Sequence, residues 1–184
     1  MAVAKEVGTI ISLDGGAQRY DEDMKPITEA SHIVIVARDY AEKYTGTTNL
    51  EDACRIIHER GAFIAGVTDG ANGSYFVWPD GTSYRCEPFS QATVVDTTGA
   101  GDSFHGAFLY MLTKTLCKIA DGTNTSTMNE TSQSLNAIDL LHSCAHEDLE
   151  KAATFDSAVA ALNTQGIGGR SPLPSLEDIK ALIG

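Results

Sequence analysis

Short, nearly continuous apolar runs recur along the chain, separated by stretches whose apolar positions follow helical spacing. His32-Ile33-Val34-Ile35-Val36 and Ala62-Phe63-Ile64-Ala65-Gly66-Val67 are the clearest runs, and each reads as a strand covered on both faces. Thr9 to Leu13 reads as a third, closing at Asp14-Gly15-Gly16. Residues 1–7 read as a helical piece ended by Gly8, and helices are predicted over 21–30, 38–45 and 50–60. The last puts Ala53, Ile56 and Ile57 on one face and ends at Gly61. Strands alternating with helices in this way predict an α/β fold with a mainly parallel sheet between two helical layers.

The pattern changes after Thr68. Asp69 to Gly73 is a turn, Ser74 to Trp78 reads as a strand, and Pro79-Asp80-Gly81 is a second turn signal. Residues 74–78 and 82–86 are therefore predicted to form a hairpin or meander. A helix follows over 101–118. Residues 121–136, rich in Ser, Thr and Asn without an apolar period, read as an inserted, solvent-exposed loop. Two more helices are predicted over 147–164 and 175–183, the second with Ser175 and Asp178 at its N-cap and third position.

Composition narrows the function classes. The 184 residues suit one domain, and 42% hydrophobic with 21% charged residues describes a globular chain. Thirteen Lys and Arg against 25 Asp and Glu leave a net charge of −12, which argues against a surface built to follow nucleic-acid phosphates. No apolar run approaches the ~20 residues of a membrane span, and no secretory h-region is seen near Met1. Cys54, Cys86, Cys117 and Cys144 lack C-x-x-C spacing and read as free thiols, so a cytoplasmic setting is expected.

The segment Asp96-Thr97-Thr98-Gly99-Ala100-Gly101-Asp102 carries the chemistry. Gly99, Ala100 and Gly101 have little side-chain bulk, so their N–H groups can approach an anion where the helix dipole also favours negative charge. Placing the Asp102 carboxylate beside such an anion hole makes sense if it accepts a proton from a hydroxyl attacking a phosphorus. Gly-Ala-Gly-Asp alone would equally suit an ordinary helix start. The whole run followed by an apolar helix is more specific, and it closely resembles a signature of the ribokinase-like (PfkB) carbohydrate kinases.

That resemblance extends from about residue 1 to 183. It implies a three-layer α/β/α fold and transfer of the γ-phosphoryl group of ATP to a sugar hydroxyl, with Asp102 as base and Gly99 to Gly101 as anion hole. Val67 to Gly73 looks like the family's T-x-G-x-x-G turn, so Thr68, Gly70 and Gly73 are expected to hold nucleotide phosphates. The helix through Ser157, Ala160 and Asn163, with the glycines after it, resembles the part that lines the adenine pocket. Its run of alanines also suits close helix packing. By the same resemblance Asp96, Thr98 and Gly168 are expected around a monovalent cation such as K⁺, and Mg²⁺ is expected to accompany ATP.

Two departures stand out. The family's N-x-x-E motif appears here as Ala37 and Tyr40, closer to a ketohexokinase-like or fructokinase-like branch. The family's N-terminal sugar-binding half has no counterpart, so the chain resembles a C-terminal, nucleotide-binding portion. An open sheet edge, a homodimer or a separate N-terminal half as partner, and weak sugar phosphorylation by the chain alone are the expectations. The alternative is a non-catalytic nucleotide-binding or scaffold protein. His142, Cys144 and His146 form an H-x-C-x-H cluster that reads as a surface helix start, and His105 reads as a packing residue.

Overall fold

The computed structural model describes residues 2–90, 93–124 and 136–184. In chain order the elements are α1 (Ala2–Glu6), β1 (Ser12–Gly15), α2 (Lys25–Ala30), β2 (Ile33–Ala37), α3 (Arg38–Thr45), α4 (Leu50–Glu59), β3 (Ile64–Thr68), β4 (Ser74–Val77), β5 (Ser83–Cys86), α5 (Ala100–Asn124), α6 (Ala137–His142), α7 (His146–Asn163) and α8 (Leu176–Ile183). One sheet runs in the order β1-β2-β3-β4-β5. β1, β2 and β3 pair in parallel, whereas β4 pairs antiparallel with β3 and with β5. The α/β reading and the hairpin are both present.

β2 explains the continuous apolar run. Ile33 and Ile35 bury against α5, α6 and α7 on one face, while Val34 and Val36 bury against α3 and α4 on the other. A strand with helices on both sides has no wet face, so alternation disappears. The α5 side is filled by Phe76, Trp78, Phe104 and Phe108, whose rings stack from the hairpin onto the helix. On the other side Tyr40, Tyr44, Cys54 and Ile57 close over β2 and β3. This is the three-layer arrangement.

Boundaries moved where side chains outside the local pattern took part. The first strand begins at Ser12 rather than Thr9, because the N–H of Ile11 is taken by Nδ1 of His32 at 2.9 Å instead of a neighbouring strand. α5 continues to Asn124, past the expected end at 118, with Ile119 and Ala120 half-buried; propagating a formed helix costs little even across Gly122. The expected loop over 121–136 therefore loses its first four residues to α5. At its other end Asn136 is the N-cap of α6, where it forms a capping box with Asp139; this helix was not anticipated from the polar segment before it. Residues 125–135 lie outside the described residues. Ser175 and Asp178 form the expected capping box on α8.

Candidate active site at the start of α5

Parallel α/β sheets place ligands beyond the carboxyl ends of their strands, and there α5 begins. The approach to α5 lies against the end of α7: the N–H groups of Val95 and Asp96 both donate to the carbonyl of Thr164, at 2.8 and 3.1 Å. The Asp96 carboxylate then accepts from the N–H of Thr98 and from that of Gly168, each at 2.9 Å. Those donors, Thr98 foremost, hold its carboxyl below the usual carboxylate range. Gly99 sits at φ +77°, and a Cβ there would stand 2.5 Å from the Cα of Gly169. Only glycine fits this crossing of two backbones. Ala100 donates to Thr97 and Ser103 to Gly99, which leaves the N–H groups of Gly101 and Asp102 among the unpaired donors of the first turn.

The turn opens on a cleft of about 510 Å³. Thr68, Gly70 and Gly73 line one side, Ala100 and Gly101 the start of α5, and Ser157 and Ala160 the face of α7. The Gly70–Asn72 turn is held by Asp69 N–H donating to the Gly73 carbonyl at 2.9 Å, and Gly73 at φ +89° has no room for a Cβ beside the Cys86 carbonyl. The Asp69 carboxylate accepts from Arg38 at 2.9 Å and from Asn72 at 3.1 Å, bracing this turn from below. Asn163 does not join the lining: it is fully buried, one turn beyond Ala160 on the packed side of α7, and its amide has no hydrogen-bond partner. In its place Ala161, Thr164, Phe89 and Phe104 contribute. The helical spacing through Ser157 and Ala160 continues equally well to Ala161 and Thr164, so the periodicity held this signal.

A second group stands at the same corner. The carboxyl end of β1 brings Asp14 beside Asp102 and His105, one turn apart on α5. His105 is buried, and its Nε2 shares a hydrogen bond with Ser12 Oγ at 2.9 Å. Partial desolvation, opposed by the charge of His105 and reinforced by Asp102, pushes the Asp14 carboxyl above its ordinary range. Burial pushes the His105 imidazole down, against the pull of the two carboxylates. The sequence reading missed Asp14, although its place just after an apolar strand was the available clue. It also understated His105, which packs and makes a polar contact.

Other expected residues fall in different settings. Tyr40 is fully buried in the core, with its hydroxyl 2.7 Å from Thr28 Oγ1, so it faces away from the cleft; Ala37 is the N-cap of α3. His142 packs edge-on against Phe63, Cys144 is half-buried after α6, and His146 pairs with Asp80 at 2.9 Å. These three side chains have separate partners, and no metal-holding group of three or more His, Cys, Asp or Glu occurs among the described residues. Asp96, Thr98 and Gly168 are brought together. What surrounds the Asp96 carboxylate is a backbone N–H on each of its two oxygens, from Thr98 and from Gly168. No helix among the described residues is long and apolar enough to cross a membrane.

Comparison with known proteins agrees with this geometry. The model of the pfkB family of carbohydrate kinases matches residues 2–176. The 5-dehydro-2-deoxygluconokinase of Shouchella clausii is 24% identical over 155 residues, covering 83% of this chain and 38% of that protein. The ribokinase of Lactococcus lactis is 50% identical over 50 residues, or 27% of this chain and 16% of that protein. Among solved structures, a fructokinase from Vibrio cholerae with fructose, ADP and potassium ion bound superposes with a TM-score of 0.73 at 21% identity, covering all of this chain and 53% of that one. The aminoimidazole riboside kinase from Salmonella enterica superposes with a TM-score of 0.71 at 19% identity, covering 98% and 54%. The chain thus spans about half the length of the solved structures, and less of the curated relatives.

Proposed function

Because this chain belongs to the pfkB family of carbohydrate kinases, we propose that it carries the nucleotide-binding and base-bearing part of an enzyme that transfers the γ-phosphoryl group of ATP to a sugar hydroxyl. The observation that carries the reading is the joining of the 510 Å³ cleft to the start of α5, with Asp102 just outside the cleft lining. ATP, entering as its magnesium complex, would lie between the Gly70–Gly73 turn and α7, with its phosphates toward Gly99, Ala100 and Gly101. The N–H groups of Gly99 and Gly101 would take up charge on the transferring phosphoryl, that of Ala100 being engaged by the Thr97 carbonyl, and Asp102 would accept the proton of the attacking hydroxyl. A monovalent cation such as K⁺ at Asp96, Thr98 and Gly168 would add positive charge beside that turn. Ala37 and Tyr40 in place of N-x-x-E favour a ketohexokinase-like or fructokinase-like acceptor preference. Free thiols at Cys54, Cys86, Cys117 and Cys144 suit a reducing cytoplasmic setting.

The test is ATP-dependent phosphorylation of fructose, ribose and related sugars by the purified 184-residue chain, beside calorimetric titration with ATP. Nucleotide binding with slow transfer that depends on Asp102 is the expected result. Binding of ATP without transfer to any sugar would favour a nucleotide-binding role in its place, and no binding of nucleotide would overturn the reading.

A further inference from the structure

Ser12 and Asp14 share one face of β1, Asp102 and His105 share one face of α5, and Ser12 Oγ lies 2.9 Å from His105 Nε2, which sets the Asp14 carboxyl beside that of Asp102. Two ionised carboxylates this close repel, so something must offset their charge or share a proton between them. The charged groups facing Asp14 are Asp102 and His105 on α5 and Arg19 in the segment after β1. His105 faces both carboxylates; it is 9% exposed, its ring is anchored at Nε2 by Ser12, and its Nδ1 is buried without a partner. A buried imidazole with one nitrogen satisfied and the other unpaired costs stability unless it serves the groups beside it.

We propose that Asp14 is the positioning residue of the base, forming with Asp102 a carboxyl pair that holds the proton taken from the acceptor hydroxyl, with His105 packed beside the pair and responsive to its charge. This rests on the reading of Asp102 given above. In the transfer step the acceptor O–H bond breaks as its oxygen forms the new bond to the γ-phosphorus. The bond from that phosphorus to the bridging oxygen breaks, and its electron pair leaves with ADP. The proton passes to Asp102 and is shared with Asp14. A lone exposed carboxylate is a weak base, and a second negative charge beside it increases its affinity for the proton. Asp14 retains solvent access, so the proton can leave for water once the products depart.

The experiment has two arms on the 184-residue chain. In the first, NMR follows the His105 imidazole against pH in the resting protein, where no turnover is involved. Asp14→Asn should lower its proton affinity about tenfold, because one facing carboxylate is gone. An unchanged His105 titration would overturn the proposal. In the second, sugar phosphorylation is measured against pH. Asp14→Asn should slow turnover about tenfold to a hundredfold, leave the KM for ATP in place and move the acid limb to lower pH, with Asp14→Glu restoring part of the rate. A uniform loss at every pH with no displaced limb would also overturn it, since that is how a structural residue behaves. A shifted His105 titration in a chain whose wild type transfers no phosphoryl group would support the carboxyl pair and count against the kinase reading instead.

Discussion

Asp96 accepts a hydrogen bond from the backbone N–H of Gly168 at 2.9 Å, across 72 residues of sequence. With the Thr98 N–H on its other oxygen, this one carboxylate ties the turn before α5 to the loop that leaves α7. The two sides of the candidate nucleotide cleft are thereby held in one arrangement. A group whose carboxyl is held below its ordinary value of 3.8 contributes stability above that value, and loses it as pH falls through the lower, folded value. Asp96→Asn should therefore flatten the acid side of the stability curve. It should also weaken ATP binding about tenfold, by loosening the turn and, on the proposed reading, by removing the charge that would hold a cation there. Urea denaturation between pH 2 and 6, beside calorimetric titration with ATP, checks both.

Asp102 lies outside the cleft lining, whereas Gly70, Gly73, Gly101 and α7 belong to it. On the proposed reading, base and binding surface are thus separable. Asp102→Asn should lower transfer by about a hundredfold or more while ATP affinity stays within about twofold of wild type. Parallel loss of both would point to a structural role for Asp102.

Gly99 crosses the backbone of Gly169 at φ +77°, where an added methyl group would meet the Gly169 Cα at 2.5 Å. Gly99→Ala should cost about 2 to 4 kcal/mol of folding stability, combining left-handed strain with a backbone clash. Gly101→Ala is the control, since a Cβ there meets nothing within 4 Å. Chemical denaturation of the two variants should separate them clearly, with the Gly101 variant near wild type.

Asp156 lies wholly buried on α7, with neither carboxyl oxygen hydrogen-bonded to another group. Burial raises its carboxyl well above the ordinary value of 3.8. The folded state then keeps a proton that the unfolded chain releases, so this contribution is full below pH 3.8 and is lost as pH rises toward the folded value. Asp156→Asn removes that loss. The variant should be more stable than wild type at pH 8 and differ little from it at pH 4, measured by urea denaturation.

The elements were legible because each obeys a local rule. The apolar runs of β2 and β3, Gly46 at the end of α3, the Ser175–Asp178 cap of α8 and the Asp96–Asp102 run are patterns within a few residues. A resemblance carried by such patterns was sufficient for fold and family. α6 was missed because its signal is a single capping box beside a polar stretch, and Asn163 was assigned to the cleft because helical spacing does not reveal which face a neighbouring helix covers.

By itself, the sequence determined the strands, most helices, the glycine turns and the presence of a carboxylate in the first turn of a helix that follows a small-residue turn. Those follow from side-chain period, capping chemistry and backbone freedom, all of them short-range. Only the tertiary structure decided that Asp14 meets Asp102, that Ser12 anchors His105, and that Asp96 reaches Gly168. Each of these pairs joins segments distant in the chain, and their distance is set by how the sheet orders its strands and how α5 and α7 pack upon it. No local pattern encodes that placement.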